Sequence, residues 1–231
     1  PYFPTTGGRP DIGPLPRWAV LYIVTQDDRA LVSLLANLDA AGAVPIHYRD
    51  TCTDQPLDLD RHPGVALNIG TSTKADALPA VVDSVTIWSP DTSHQASFAY
   101  LPYLVTGDAY YLDEVMFWAA WNMGAINPGY RDQGSGLVHE EQLRGQAWAL
   151  RSIGDAARVL PDAHPLKTYF RRRLANNVNW YVENYSRKAV LGAGLPLPVI
   201  EWNGKGSGQA APWQHDFMAL VSGHLAEDGD S

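Results

Sequence analysis

Polar residues gather in four places along the chain: Arg9 and Asp11; Asp91, His94 and Gln95; His139, Glu140, Glu141 and Arg144; His215 and Asp216. Mixtures of carboxylate, imidazole and guanidinium are the parts of a proton-transfer site. Glycoside hydrolysis needs a carboxylic acid as proton donor and a second carboxylate as base or nucleophile. Asp91 with Glu140 or Glu141 can be that pair. A lyase instead needs a base for the proton beside a uronate carboxylate, a cation or amide to hold that carboxylate, and an acid for the leaving oxygen. His94, Arg144, Gln95 and Tyr100 fit those roles. Trp88 and Trp148 can stack on the apolar face of a sugar ring. Plainer roles stand beside each of these: acids cap helix starts in any protein, and tryptophans on helices fill cores.

Internal repetition says which elements carry these groups. Tyr22-Ile23-Val24-Thr25-Gln26-Asp27 overlays Tyr103-Leu104-Val105-Thr106-Gly107-Asp108, giving Tyr-[Ile/Leu]-Val-Thr-x-Asp twice. Each copy is followed by apolar residues at helical spacing, Leu31, Leu34, Leu35 and Leu38 in one and Leu112, Val115, Met116 and Ala119 in the other. The pattern predicts helix, tight turn, helix, with the Thr and Asp oxygens capping the second helix. A looser third copy turns at Leu160 to Pro165, between helices around 140–159 and 166–185. A fourth begins at Trp213 and stops at the expected turn, Glu227-Asp228-Gly229. Residues 1–231 are therefore expected to be one helical-hairpin domain, an incomplete toroid from a longer chain, with the apolar side of Trp213 to Leu225 lacking its outer helix. A further segment or a second copy in a homo-oligomer would cover that side. In such a ring the first helix of every pair lines the centre, so Asp91, His94, Gln95, Glu140, Glu141 and Arg144 should border one cleft, with Trp148 a turn deeper.

Long Gly, Pro, Asp and Asn-rich connections separate the hairpins, at 43–90, 123–138 and 186–212. Within the first, 44–49 and 81–87 can form short strands, and 81–87 reads as well as a helix end. The Gly192-Ala193-Gly194 and Gly204-Lys205-Gly206-Ser207-Gly208 stretches lack the strand-turn-helix setting of a phosphate loop.

The balance of 17 basic against 25 acidic residues, net −8, argues against nucleic acid as partner. Arg171-Arg172-Arg173 reads as a solvated helix face. No apolar run reaches the roughly 20 residues of a membrane span. Cys52 is the single cysteine, and neither His47 nor His94 sits in a metal-ligand spacing, so no metal and no cofactor is expected. The 8 tryptophans and 11 tyrosines are prominent for an acidic domain; some fill the core, and carbohydrate-binding clefts also use such rings.

Arg144-Gly145-Gln146-Ala147-Trp148-Ala149 resembles the Arg-Gly-Gln-Ala-Trp segment of the unsaturated glucuronyl hydrolases. Asp91, a leucine-bearing helix and Thr106-Gly107-Asp108 are similar, in the same order, to that family's catalytic Asp, inner helix and Thr-Gly-Asp turn. The resemblance covers about Asp91 to Trp148. It implies a mainly α fold, the (α/α)6 toroid of six-hairpin glycan-active enzymes, an oligosaccharide or polysaccharide substrate carrying uronate, and Asp91 as general acid and base. The wider six-hairpin class also contains polysaccharide lyases, other glycosidases and sugar epimerases. A non-catalytic helical-repeat module that binds on its concave face is the alternative from outside enzymology.

Overall fold

The computed structural model describes residues 11–67, 78, 90–139, 142–186, 212–227 and 229. The described residues are mainly helical, with α1 (Arg17–Thr25), α2 (Asp28–Ala41), α3 (Tyr100–Thr106), α4 (Ala109–Gly124), α5 (Leu143–Val159), α6 (Lys167–Tyr181) and α7 (Pro212–Glu227). A π-helical turn, Val182–Ser186, extends α6. No strand occurs among them. The possible strand at 44–49 is an irregular segment with one isolated bridge, Arg49 to Pro56, because the chain turns back at 50–55 and its antiparallel pairing ends after that bridge. The other, 81–87, lies outside the described residues.

The repeated turn motif closes two helix pairs by the same bonds. Gln26 and Gly107 both take the left-handed conformation, φ 52° and 69°, and donate their N–H to the carbonyls of Tyr22 and Tyr103. The Thr25 and Thr106 hydroxyls donate back to the carbonyls of Leu21 and Pro102, and accept from the N–H of Asp27 and Asp108. Asp27 and Asp108 then cap α2 and α4, accepting from Arg29 N at 2.8 Å and Tyr110 N at 2.9 Å. Each motif thus satisfies orphan groups of both helices it joins. The third pair, α5 and α6, turns through 160–166, and its members run antiparallel: Gln146 meets Tyr181 near one end, and the Arg158 carbonyl meets Lys167 near the other.

The helices α4 and α5 are the most deeply enclosed. Leu143 to Ala157 is buried without interruption, and the end of α4 from Val115 to Gly124 is equally enclosed. Beside α5 runs α7, and their contacting residue numbers rise together: Arg144 with Trp213, Trp148 with Phe217, Gly154 with Leu225. The two helices therefore point the same way. The segment entering α3 follows the same course, since His94 meets Arg144 and Gln95 meets Ser152. On α7, Phe217, Met218, Val221 and Leu225 face the core, while Trp213 and Leu220 remain 45% and 53% exposed.

The loop at 59–67 is pinned by arginines from two sides. Arg131, wholly buried, donates to the carbonyls of Pro63, Val65, Gly124 and Ile126, tying the 59–67 loop to the end of α4; burial pushes its guanidinium down to about 10. The arginine run of α6 is not uniformly solvated: Arg173 is 3% exposed and, with Arg172, pairs to Asp60. Successive helical residues are turned by about 100°, so three in a row span about 200°, and Arg173 falls on the inner side.

Candidate functional site

Asp91 sits in a turn ahead of α3. Its Oδ1 accepts from Ser93 N at 2.7 Å and its Oδ2 meets His94 Nδ1 at 2.6 Å. On the far side of that imidazole, Nε2 lies 3.0 Å from Arg144 Nη2. A guanidinium can only donate, so Nε2 accepts, and the ring proton must reside on Nδ1, donating to Asp91. The geometry therefore selects one tautomer of His94.

Arg144 stands on the first turn of α5, where helix N–H groups lack partners. Its own N–H donates to Gln214 Oε1 of α7 at 3.1 Å, and Nη2 also reaches Gln142 Oε1 at 2.9 Å. The guanidinium carbon lies 5.2 Å from the Trp213 ring centre. Side-chain exposure grades outward, from 19% for His94 to 50% for Asp91, so the chain opens on solvent.

Below this group a cavity of about 760 Å³ runs between α5 and α7, with Tyr100, Arg151, Asp155, Asp216, His224 and Glu227 on its walls. Its size falls in the range of small-molecule sites, roughly 300–1,000 Å³. Asp216, Leu220, His224 and Glu227 follow one another at helical spacing, and three residues earlier comes Trp213. On α5, Arg144, Trp148, Arg151 and Asp155 form the facing stripe. Arg151 is 4% exposed; its guanidinium donates to the carbonyls of Gly13 and Gln95 and lies over the Trp148 ring, while Nε has no acceptor. Burial pushes Arg151 down to about 10, with Asp155 acting in the opposite sense, so it is still charged at neutral pH.

Of the residues singled out in the sequence, Asp91, His94 and Arg144 come together, and Tyr100 lines the adjoining cavity. Gln95 does not reach a ligand. It is 2% exposed and its amide is matched to Asn122 in both directions, at 2.5 and 2.9 Å. Trp148 lies a turn deeper than Arg144 but is fully buried against Phe217, so it is core and no sugar platform. Trp88, Glu140 and Glu141 lie outside the described residues, as does Arg9. Asp11 is buried. His47 faces Glu114 at 2.7 Å, away from the cavity walls. Sequence reasoning passed over Trp213, Arg151 and Asp155, although the three-and-four spacing from Arg144 and from Trp213 was there to find them.

Among the described residues no group of three or more His, Cys, Asp or Glu side chains could hold a metal ion, and no helix is long and apolar enough to cross a membrane. No protein-family model matches the chain, and comparison with curated proteins and with solved structures gave no match.

Proposed function

We propose that this chain is a carbohydrate-active enzyme of the hairpin-ring class, an incomplete (α/α)6 toroid, acting on uronate-containing oligosaccharides. The single observation that carries the reading is the Asp91–His94–Arg144 chain at the head of α5. Two features support the ring: α5, α7 and the segment into α3 run the same way, and their starts meet at one mouth.

Both oxygens of Asp91 are engaged, one by Ser93 N and one by His94 Nδ1, an arrangement that suits it to orient the imidazole. That favours elimination. A uronate carboxylate offers Arg144 a better acceptor than an imidazole nitrogen, and taking it would uncover His94 Nε2. Nε2 then removes the proton alpha to the carboxylate, the electron pair forms a C4–C5 double bond, and the C4–O bond breaks. The leaving oxygen takes a proton from an acid on the cavity wall, for which Tyr100 is the candidate. Hydrolysis is the second reading, favoured by Asp155 and Asp216 lining one cavity, since it needs two carboxylates.

Incubation with uronate oligosaccharides separates the two. Elimination gives new ultraviolet absorbance from the conjugated double bond, lost in His94→Ala; hydrolysis gives new reducing ends without it. Neither signal across a panel of uronate linkages would overturn the proposal.

A further inference from the structure

We infer that the α5/α7 cavity is the subsite for the sugar next to the uronate, that Trp213 is its aromatic lip, and that it takes a neutral or ammonium-bearing ring and rejects a second uronate. This rests on the glycan reading above and adds the identity of the neighbouring residue. Trp213 continues the cavity-facing stripe of α7 one turn towards Arg144, and its indole is 45% exposed. Trp118, Trp121 and Trp148 are at most 4% exposed. A solvated indole beside a guanidinium offers a pyranose an apolar face to stack on and a cation for its carboxylate.

Further in, the walls change sign. Three carboxylates, Asp155, Asp216 and Glu227, stand against the one guanidinium of Arg151, with apolar Leu15, Leu220 and Val221 between them. From Asp216 to Glu227 the helix advances about 16 Å, room for more than one ring. Arg151 lies on the cavity wall beside Asp155, where a ring hydroxyl finds both a donor and an acceptor. A second carboxylate would lie between like charges, whereas a hydroxyl or an ammonium would find acceptors.

The test uses the full chain with His94→Ala, which halts turnover, and titration calorimetry against two tetrasaccharides. One is all uronate; the other alternates uronate with a hexosamine bearing a free amine. The alternating ligand should bind at least about tenfold tighter. Adding Asp216→Asn and Glu227→Gln should narrow that gap, and adding Trp213→Ala should weaken both ligands several-fold with the helical circular dichroism unchanged. Equal or tighter binding of the all-uronate ligand, or a gap indifferent to the two amide substitutions, would overturn the inference and leave the glycan reading standing. Failure of both ligands to bind would remove both.

Discussion

Arg144 donates to His94 Nε2 across 3.0 Å, and the donation fixes the tautomer of the imidazole. Because the guanidinium occupies Nε2, the ring must give its proton to Asp91 at 2.6 Å. Removing Asp91 should therefore cost orientation, not just charge. Asp91→Asn is expected to lower turnover on uronate oligosaccharides by about 10²-fold, at the low end of what proton transfer supplies, with little change in KM. Measured kcat within a few-fold of the parent would take Asp91 out of the mechanism.

The twin turns allow a cleaner comparison. Position 107 is Gly and position 26 is Gln, yet both adopt positive φ and make the same bond to a tyrosine carbonyl. A side chain in that conformation is strained, whereas glycine is not. Gln26→Gly should stabilise the chain by about 0.5–1 kcal/mol, reduced by the loss of the Gln26 amide bonds to Tyr22 and Ile23 carbonyls. Thermal unfolding would show a midpoint raised by a few degrees. A lowered midpoint would mean the side-chain bonds outweigh the strain.

These turns were the most legible part of the sequence, because Thr and Asp act on backbone groups within four residues of themselves. Helix pairing followed from them and from the apolar spacing of α2 and α4. The site was legible only where local position decided it: Arg144 falls at the entry of α5, and Asp91 and His94 in the turn that leads to α3. Gln95 and Trp148 misled because their fate depends on partners 27 and 69 positions away, Asn122 and Phe217, which no local pattern reveals. The 44–49 stretch has strand-forming residues, but its antiparallel pairing is limited to a single bridge, with Asp50 N donating to Gln55 O and Leu57 N to Tyr48 O, while His47–Glu114 and Arg49–Asp113 hold the segment to α4.

Acid should loosen the loop at 50–62. The Asp50 carboxylate accepts from His62, from Cys52 N and from Arg61, and the His62 bond above all holds its pKa below the usual carboxylate value. A depressed folded pKa means the unfolded chain binds the proton first. The stabilisation is thus complete above the ordinary value of about 4 and disappears as pH falls through the lower folded one. Urea midpoints of the parent and of Asp50→Asn should differ at pH 6 and converge towards pH 2. A difference that persists undiminished in acid would exclude this carboxylate as the cause.

Arg131 offers the largest effect. Its side chain is wholly buried, and the acceptors it reaches are backbone carbonyls: Pro63 and Val65 in the loop, Gly124 and Ile126 at the end of α4, and Gln133 in its own turn. Arg131→Met keeps the bulk and removes the donors, so several carbonyls lose their partner in an enclosed space where water cannot replace it. A single buried group left unsatisfied costs about 1–3 kcal/mol, and a lost buried charge network about 3–5 kcal/mol, so the variant should lose on the order of 4 kcal/mol in urea unfolding. Arg131→Lys should recover only a minor part, because one ammonium cannot span acceptors on both sides of a planar fork. Since the anchored loop and Asp91 lie on different elements, the surviving folded fraction should retain its ligand affinity. A Met variant within about 1 kcal/mol of the parent would show that the 59–67 loop holds to α4 without this side chain.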